Sequence, residues 1–145
     1  MKTWLVVGDP GNWVIAIKNR VWGVRGTPRH TKIWHAISEG DQVLFYATRP
    51  VSGIIGMGKV ISKFRDESPL WSKEYADGHA VWPHRFGIEV GAVLPYSHWE
   101  AERLDFDAIR AVVHRGFQRL GDDLADEVVT GIRKTKGMAH TALDV

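Results

Sequence analysis

Seven histidines are the residues of this chain best suited to catalysis or metal binding. His30 and His35 are five positions apart, and so are His79 and His84. Metal sites on helices prefer histidines four positions apart, and no nearby carboxylate completes a set of three ligands. We therefore interpret these spacings as chance, and we expect neither a metal nor a cofactor.

Nucleophilic and acid–base catalysis also lack their usual sequence patterns. The chain contains no cysteine, which excludes thiolate nucleophiles, zinc–thiolate sites and disulfides. No serine lies in a GxSxG turn. Asp66 and Glu67 are adjacent, so in an extended chain their carboxylates point to opposite sides and form a poor acid–base pair. We expect no catalytic residues and no enzymatic activity.

Tryptophan is unusually frequent, with seven residues in the chain. Trp22, Trp71 and Trp82 fall at the edges of predicted helices and strands, where the rim of a pocket would lie. Two indoles can sandwich a flat base while a third closes the pocket, and stacking contributes about 1–3 kcal/mol per base. The alternative interpretation is that each of the three is a rim residue of the core.

Positive charge is concentrated early in the chain, although the net charge is only +2. No acidic residue occurs between Pro10 and Ser38, whereas five basic residues do: Lys18, Arg20, Arg25, Arg29 and Lys32. Such a segment can attract phosphate groups. The alternative is an ordinary solvated basic face.

Length and composition predict one α+β domain that spans residues 1–145. Hydrophobic residues make up 44% and charged residues 25%, which excludes disordered, collagen-like and coiled-coil classes. No apolar run approaches the roughly 20 residues that cross a bilayer. The apolar N-terminal segment ends at Gly8 and is too short for a secretory signal. We therefore expect a cytoplasmic protein with no membrane contact.

Hydrophobic periodicity predicts the helices and strands that must position these side chains. The predicted strands cover residues 3–7, 22–24, 42–48, 54–64 and 85–93, and the helices cover 13–20, 28–37, 105–113 and 122–132. Asn12 is a candidate N-cap of the first helix, and residues 67–80 have the composition of a loop. Gly56 and Gly58 lie within a strand and indicate tight curvature. Helices that enclose curved strands suggest a small barrel with packed helices.

Five segments of the chain form a pattern in their order and spacing: NWVIAIKNRVWGV (12–24), GDQVLFY (40–46), GIIGMGKV (53–60), PLW (69–71) and WPHRF (82–86). Taken together, these segments resemble an EVE domain. The EVE family belongs to the PUA-like superfamily and is related to the YTH domains. The resemblance covers roughly residues 3–95 well and the last third weakly. It implies a PUA-like curved sheet or small barrel flanked by helices.

The resemblance also implies a binding site for a modified base. YTH domains bind N6-methyladenine in RNA through an aromatic cage, and EVE domains are associated with modified bases that include modified cytosines in DNA. Trp22 matches the first cage tryptophan and follows Asn12, which matches a residue that contacts the base edge, by ten positions. Trp71 and Trp82 match the remaining aromatic residues, although the loop between them is longer than in YTH domains. Gly23 replaces a small polar residue, so only its backbone can make that contact.

Three functional hypotheses follow. The first is a non-enzymatic domain that binds a modified cytosine or adenine in RNA or DNA, in a single strand or flipped out of a duplex. In this hypothesis Arg25, Arg29 and Lys32 hold phosphates beside the pocket. The second is a nucleotide-processing or hydrolytic enzyme on the same fold, and the third is a small-ligand or protein-interaction domain. The oligomeric state, the base and its modification are not determined by the sequence.

Overall fold

The computed structural model describes residues 1–135, 137 and 138. The strands are β1 (Thr3–Gly8), β2 (Val21–Val24), β3 (Gln42–Ala47), β4 (Gly53–Arg65), β5 (His84–Val93) and β6 (Gln118–Leu120). The helices are α1 (Pro10–Asn19), α2 (Pro28–Ala36), α3 (Ser72–Asp77), α4 (Trp99–Glu102), α5 (Asp107–Val112) and α6 (Asp122–Lys134). Two 3₁₀ turns, Tyr96–His98 and Val113–Arg115, precede α4 and follow α5.

All six strands belong to one sheet in the order β2-β5-β4-β3-β1-β6. Strand β1 runs parallel to β3, and the other pairs are antiparallel. The sheet curls into a half-barrel flanked by helices, which confirms the predicted α+β, PUA-like architecture. Strands β2 and β6 are its two edges.

Curvature of the sheet is concentrated in β4, where the register with β5 shifts after Met57 and again after Val60. A Cβ atom at Gly56 would collide with the carbonyl oxygen of Ala92, and one at Gly58 with that of Glu89. The two glycines therefore allow β4 and β5 to approach closely where the sheet bends, as predicted.

The predicted start of α1 was wrong. Asp9, and not Asn12, is the N-cap, because its Oδ1 accepts a hydrogen bond of 2.7 Å from the backbone N–H of Asn12. Pro10 then occupies the first helical turn, where its fixed φ is favourable. Asn12 consequently lies inside the helix, and its side chain is not required for capping.

Two further predictions were incomplete. The segment at residues 67–80 is not only a loop, because it contains α3. Strand β6 and helix α4 were missed, since three and four residues are too short to show a period. The predicted helix at 105–113 is shorter, and its end tightens into a 3₁₀ turn.

Two hydrophobic clusters form the core. One contains most of the buried tryptophans, including Trp13, together with Phe45 and Phe86. The other joins the sheet, through residues such as Leu5 and Leu44, to the helices α5 and α6. In the described part of the chain, no helix has the length and apolar character needed to cross a membrane.

Candidate functional site

The five residues predicted to bind a base line one cavity of about 80 Å³. We call it the tryptophan cavity; its lining residues are Val7, Gly8, Asn12, Trp22, Gly23, Trp71 and Trp82. They come from β1, α1, β2 and the segments that precede α3 and β5. The fold therefore brings together residues that are up to 75 positions apart in the sequence.

Trp22 is both a wall of this cavity and a core residue. Its indole stacks on that of Trp13, with 4.3 Å between ring centroids and 25° between planes, and only 8% of the residue is exposed. A Cβ atom at Gly8 would collide with the Trp22 ring, so only glycine at position 8 leaves room for this indole. Trp22 is therefore both a wall of the pocket and a residue at the rim of the core, so the two alternative interpretations of this residue both apply.

Trp71 and Trp82 complete the aromatic walls. The Trp71 ring meets Trp22 edge-on at 6.0 Å and Trp82 edge-on at 5.6 Å. The indole N–H of Trp71 donates a 3.1 Å hydrogen bond to the carbonyl of Asn12, which fixes a ring that is only 2% exposed. Trp82 is partly exposed and is the outermost of the three indoles.

Gly23 allows the strand backbone to reach this cluster. A Cβ atom at that position would lie 2.6 Å from the Cβ of Trp82 and 3.0 Å from the ring of Trp71. The side chain of Asn12 also lines the cavity and is partly buried. An Asn side chain offers both a donor and an acceptor, which matches the mixed edge of a nucleobase.

Glu74 holds the segments that carry Trp71 and Trp82, and sequence reasoning missed it. Its Oε1 accepts from the backbone N–H of Leu70 and Trp71, and its Oε2 accepts from those of Val81 and Trp82. Complete burial of the side chain opposes its ionisation. The four N–H donors outweigh that effect and hold the pKa of Glu74 below its usual range.

Arg85 neutralises Glu74 and was also missed. Its Nη2 lies 3.2 Å from Glu74 Oε1, and the same nitrogen donates to the carbonyl of Ser68 at 2.6 Å. Its Nε donates to the carbonyl of Trp82, and its guanidinium lies over the ring of Trp71 at 5.4 Å. The alternation of apolar and polar residues along β5 predicts that Arg85 lies on the polar face of the strand. The sequence therefore gave no indication that this side chain is buried.

The three predicted phosphate-binding residues are all exposed but lie in different positions. Arg25 directly follows β2, and its guanidinium carbon lies 5.6 Å from the ring centroid of Trp82. Arg29 and Lys32 are three positions apart on α2, which places them on one face of the helix. Arg29 also donates to the carbonyl of Arg115 at 3.4 Å. Of the three, Arg25 is the cation seated on the wall of the tryptophan cavity.

A second cavity of about 220 Å³ adjoins the first between the two edges of the half-barrel. We call it the seam cavity; it is lined by Val7, Trp22, Gly23, Val24, Arg25, His30, Trp82, Gly116 and Phe117. Burial lowers the pKa of His30, and the positive charges of Arg29 and Arg25 lower it further. Arg25 lines the same cavity as His30, and Arg29 is the residue before His30 in α2.

The other described histidines lie apart from the tryptophan cavity. No three His, Asp or Glu side chains are grouped to hold a metal ion in the part of the chain that the structure describes. His84 is buried and stacks on Trp34 at 4.7 Å, which is a packing role. A larger cavity of about 500 Å³ lies beside Pro50 and Trp99 and contains none of the predicted binding residues.

The chain matches the family model described as the EVE domain over residues 2–112, and it therefore belongs to the EVE domain family. This match confirms the resemblance inferred from the five sequence segments. Among curated protein sequences, none matches the chain.

Solved structures with the same fold include YTH domains. The YTH domain of Toxoplasma CPSF4 in apo form is 13% identical, with a TM-score of 0.64 over 94% of this chain and 88% of that one. The Mmi1 YTH domain in complex with RNA is 17% identical, with a TM-score of 0.61 over 91% and 77%. A protein from Agrobacterium tumefaciens is 14% identical, with a TM-score of 0.61 over 96% and 99%. At these identities the similarity establishes the fold.

Proposed function

We propose that this protein is a non-enzymatic domain that binds a modified base of RNA or DNA in the tryptophan cavity. The observation that carries the proposal is the convergence of Trp22, Trp71, Trp82, Asn12 and Gly23 on one cavity with Arg25 at its wall. Membership of the EVE family and the shared fold with an RNA-bound YTH domain support it.

The aromatic walls account for a preference for a modified base. Stacking on an aromatic side chain contributes about 1–3 kcal/mol per base whatever its identity. A methyl group that leaves water adds roughly 0.8 kcal/mol. Asn12 supplies hydrogen bonds to the base edge, and the backbone of Gly23 supplies a further polar contact. Stacking on the indoles thus provides affinity for any base. Burial of the ligand's methyl group and the hydrogen bonds of Asn12 provide selectivity for the modified base.

Binding requires movement of one wall. Ligand pockets usually enclose about 300–1,000 Å³, whereas the tryptophan cavity encloses about 80 Å³. Trp22 is stacked on Trp13 and Trp71 is hydrogen-bonded to Asn12, so neither indole is free to move. Trp82 is the partly exposed wall, and its side chain is the one that shifts to admit a base.

A base inside a duplex must be flipped out to reach this cavity, at a cost of a few kcal/mol. A single strand avoids most of this cost, so it is the preferred partner. Arg25, Arg29 and Lys32 hold its phosphates beside the cavity, which positions the strand without selecting its sequence.

The proposal is tested with five-nucleotide single strands of RNA and DNA that carry N6-methyladenine, 5-methylcytosine or the unmodified base at the centre. We expect tighter binding of at least one modified strand than of its unmodified form. Trp82→Ala should abolish that preference, whereas Tyr96→Ala, an exposed aromatic residue outside the cavity, should preserve it. Equal binding of all strands, or a preference that survives Trp82→Ala in a folded protein, would contradict the proposal.

A further inference from the structure

The seam cavity is continuous in its walls with the tryptophan cavity. The two share Val7, Trp22, Gly23 and Trp82. A group attached to a ligand in the first cavity therefore lies within reach of the second. The shared indoles face both spaces, so the cavities are two compartments of one surface.

The lining of the seam cavity favours an anion. Arg25 and His30 both line it, and no acidic residue does so among those described. Arg29 is close enough to His30 to depress the pKa of that imidazole. Helix α2 begins two residues before His30 and has no acidic residue in its first turn, so its N-terminal dipole adds to the positive potential.

His30 is held in position for such a contact. Its Nδ1 lies 2.7 Å from the hydroxyl of Thr27, the N-cap of α2. That bond occupies Nδ1 and leaves Nε2 as the ring atom for a ligand. The His30 side chain is therefore held in one orientation where it lines the seam cavity.

The rest of the lining fits the apolar parts of a nucleotide. Phe117 packs against Trp4 at 5.9 Å and against Phe86 at 6.1 Å, so its ring is anchored to both sides of the half-barrel. Val24 belongs to the edge strand β2, which pairs with β5 on one side only. The cavity of about 220 Å³ therefore combines an aromatic platform, a strand edge and a cationic wall.

We propose that the seam cavity binds the nucleotide adjacent to the caged base, with the connecting phosphodiester held by Arg25 and His30. This inference rests on the proposed function, because it takes the base in the tryptophan cavity as its starting point. It adds His30 to the binding residues. It also makes a dinucleotide, and not a single base, the minimal ligand that fills the site. Lys32 does not line the seam cavity, so the phosphate that it holds lies outside this cavity.

The test compares two probes on the full chain. One is the free nucleoside, N6-methyladenosine or 5-methylcytidine, and the other is the dinucleotide that carries the same base with a neighbour on either side. Binding is followed by tryptophan fluorescence at low salt. Arg25→Ala and His30→Ala should each lower dinucleotide affinity about 10-fold, as expected for the loss of a hydrogen bond to a charged group. His30→Ala should leave nucleoside affinity within about twofold, whereas Arg25→Ala also removes the cation beside Trp82 and can weaken both probes.

Matched controls are Arg133→Ala on α6 and His98→Ala before α4, since neither residue lines either cavity. Both controls should bind both probes as the parent protein does. Melting temperatures of all variants establish that each is folded.

The outcomes separate this inference from the proposed function. If the nucleoside and dinucleotide bind equally well, or if His30→Ala weakens both probes alike, the seam site is overturned and the base cavity stands. If neither probe binds, or if Trp82→Ala leaves the binding of both unchanged, the base cavity fails and the seam site fails with it. Selective loss of dinucleotide binding supports both.

Discussion

Glu74 and Arg85 form an ion pair in which 3.2 Å separate Oε1 and Nη2, and neither side chain is more than 3% exposed. The carboxylate also accepts the backbone N–H groups of Trp71 and Trp82. One buried charge pair therefore fixes the backbone of the two segments that carry Trp71 and Trp82. Its function is positional, since the carboxylate binds the protein backbone.

Removal of one partner of this pair should be strongly destabilising. Glu74→Gln removes the buried counter-ion of Arg85 and leaves only the partly exposed Asp66, at 3.2 Å from Nη1. Loss of one partner of a buried ion pair typically costs 3–5 kcal/mol. Urea denaturation measures the change in the free energy of unfolding. The matched control is Glu67→Gln, which disrupts an exposed pair with Arg65 and should cost about 0–1 kcal/mol. Equal effects of the two substitutions would show that the buried pair does not support the fold.

Acid should weaken the fold through the same carboxylate. The pKa of Glu74 in the folded protein lies below the usual 4.5, so the folded state favours the ionised form. This contribution is complete above pH 4.5 and is lost as the pH falls through the lowered folded value. Hydrogen bonds from Trp4, Ser38 and Lys2 likewise lower the pKa of Asp41 against the opposing effect of burial. We expect the free energy of unfolding to fall below pH 4.5, and less steeply in Glu74→Gln.

Trp22 and Trp82 should respond differently to truncation. Trp22→Ala removes a core indole stacked on Trp13 and should cost about 3–5 kcal/mol of stability. Trp82→Ala removes a partly exposed wall and should mainly reduce binding, by about 1–3 kcal/mol. Melting temperature and oligonucleotide affinity distinguish the two effects. A Trp22→Ala variant as stable as the parent protein would show that this indole is not part of the core.

Phosphate contacts should make binding sensitive to salt. Each contact on a single strand contributes a slope of about −0.7 to the logarithm of affinity against the logarithm of salt concentration. Arg25→Ala, Arg29→Ala and Lys32→Ala should each reduce the slope by up to that amount, with the largest change for Arg25 because it lies at the cavity wall. Affinity that does not change with salt would rule out a phosphate-binding surface.

No turnover is expected with nucleotides or oligonucleotides, with or without a divalent metal. The sequence offers no cysteine and no paired carboxylates. Product formation is followed by chromatography after prolonged incubation. Turnover that copurifies with the protein and disappears on substitution of one histidine would contradict this expectation and favour the enzyme hypothesis.

The sequence predicted long periodic elements and could not predict buried polar contacts. The strand around Gln42–Ala47 and the helix Asp122–Lys134 followed from apolar runs and amphipathic spacing, which depend on near neighbours. The cap of α1 was misassigned because Asp9 and Asn12 are both favourable N-cap residues, and Pro10 decides between them only through backbone geometry.

The residues of the candidate site also divide into those that the sequence predicted and those that depend on contacts between distant segments. The grouping of Trp22, Trp71 and Trp82 followed from their positions at the edges of predicted elements and from the family resemblance, and the fold brings these residues to one cavity. Glu74 and Arg85 were missed because their partners lie up to 19 positions away in the chain and across separate elements. His30 was assigned no role, since only the curl of the sheet places it beside Phe117 in the seam cavity.

The backbone contacts of Glu74 determine which side chains of the site can change without disturbing the fold. The carboxylate binds Trp71 and Trp82 through their main-chain amides and makes no use of their indoles. The partly exposed Trp82 side chain can therefore be exchanged while the backbone that presents it stays in place, whereas the buried Trp71 ring is also held by its hydrogen bond to Asn12. A library of variants at position 82, selected against different modified bases, would alter the chemistry of the outer wall independently of the backbone geometry.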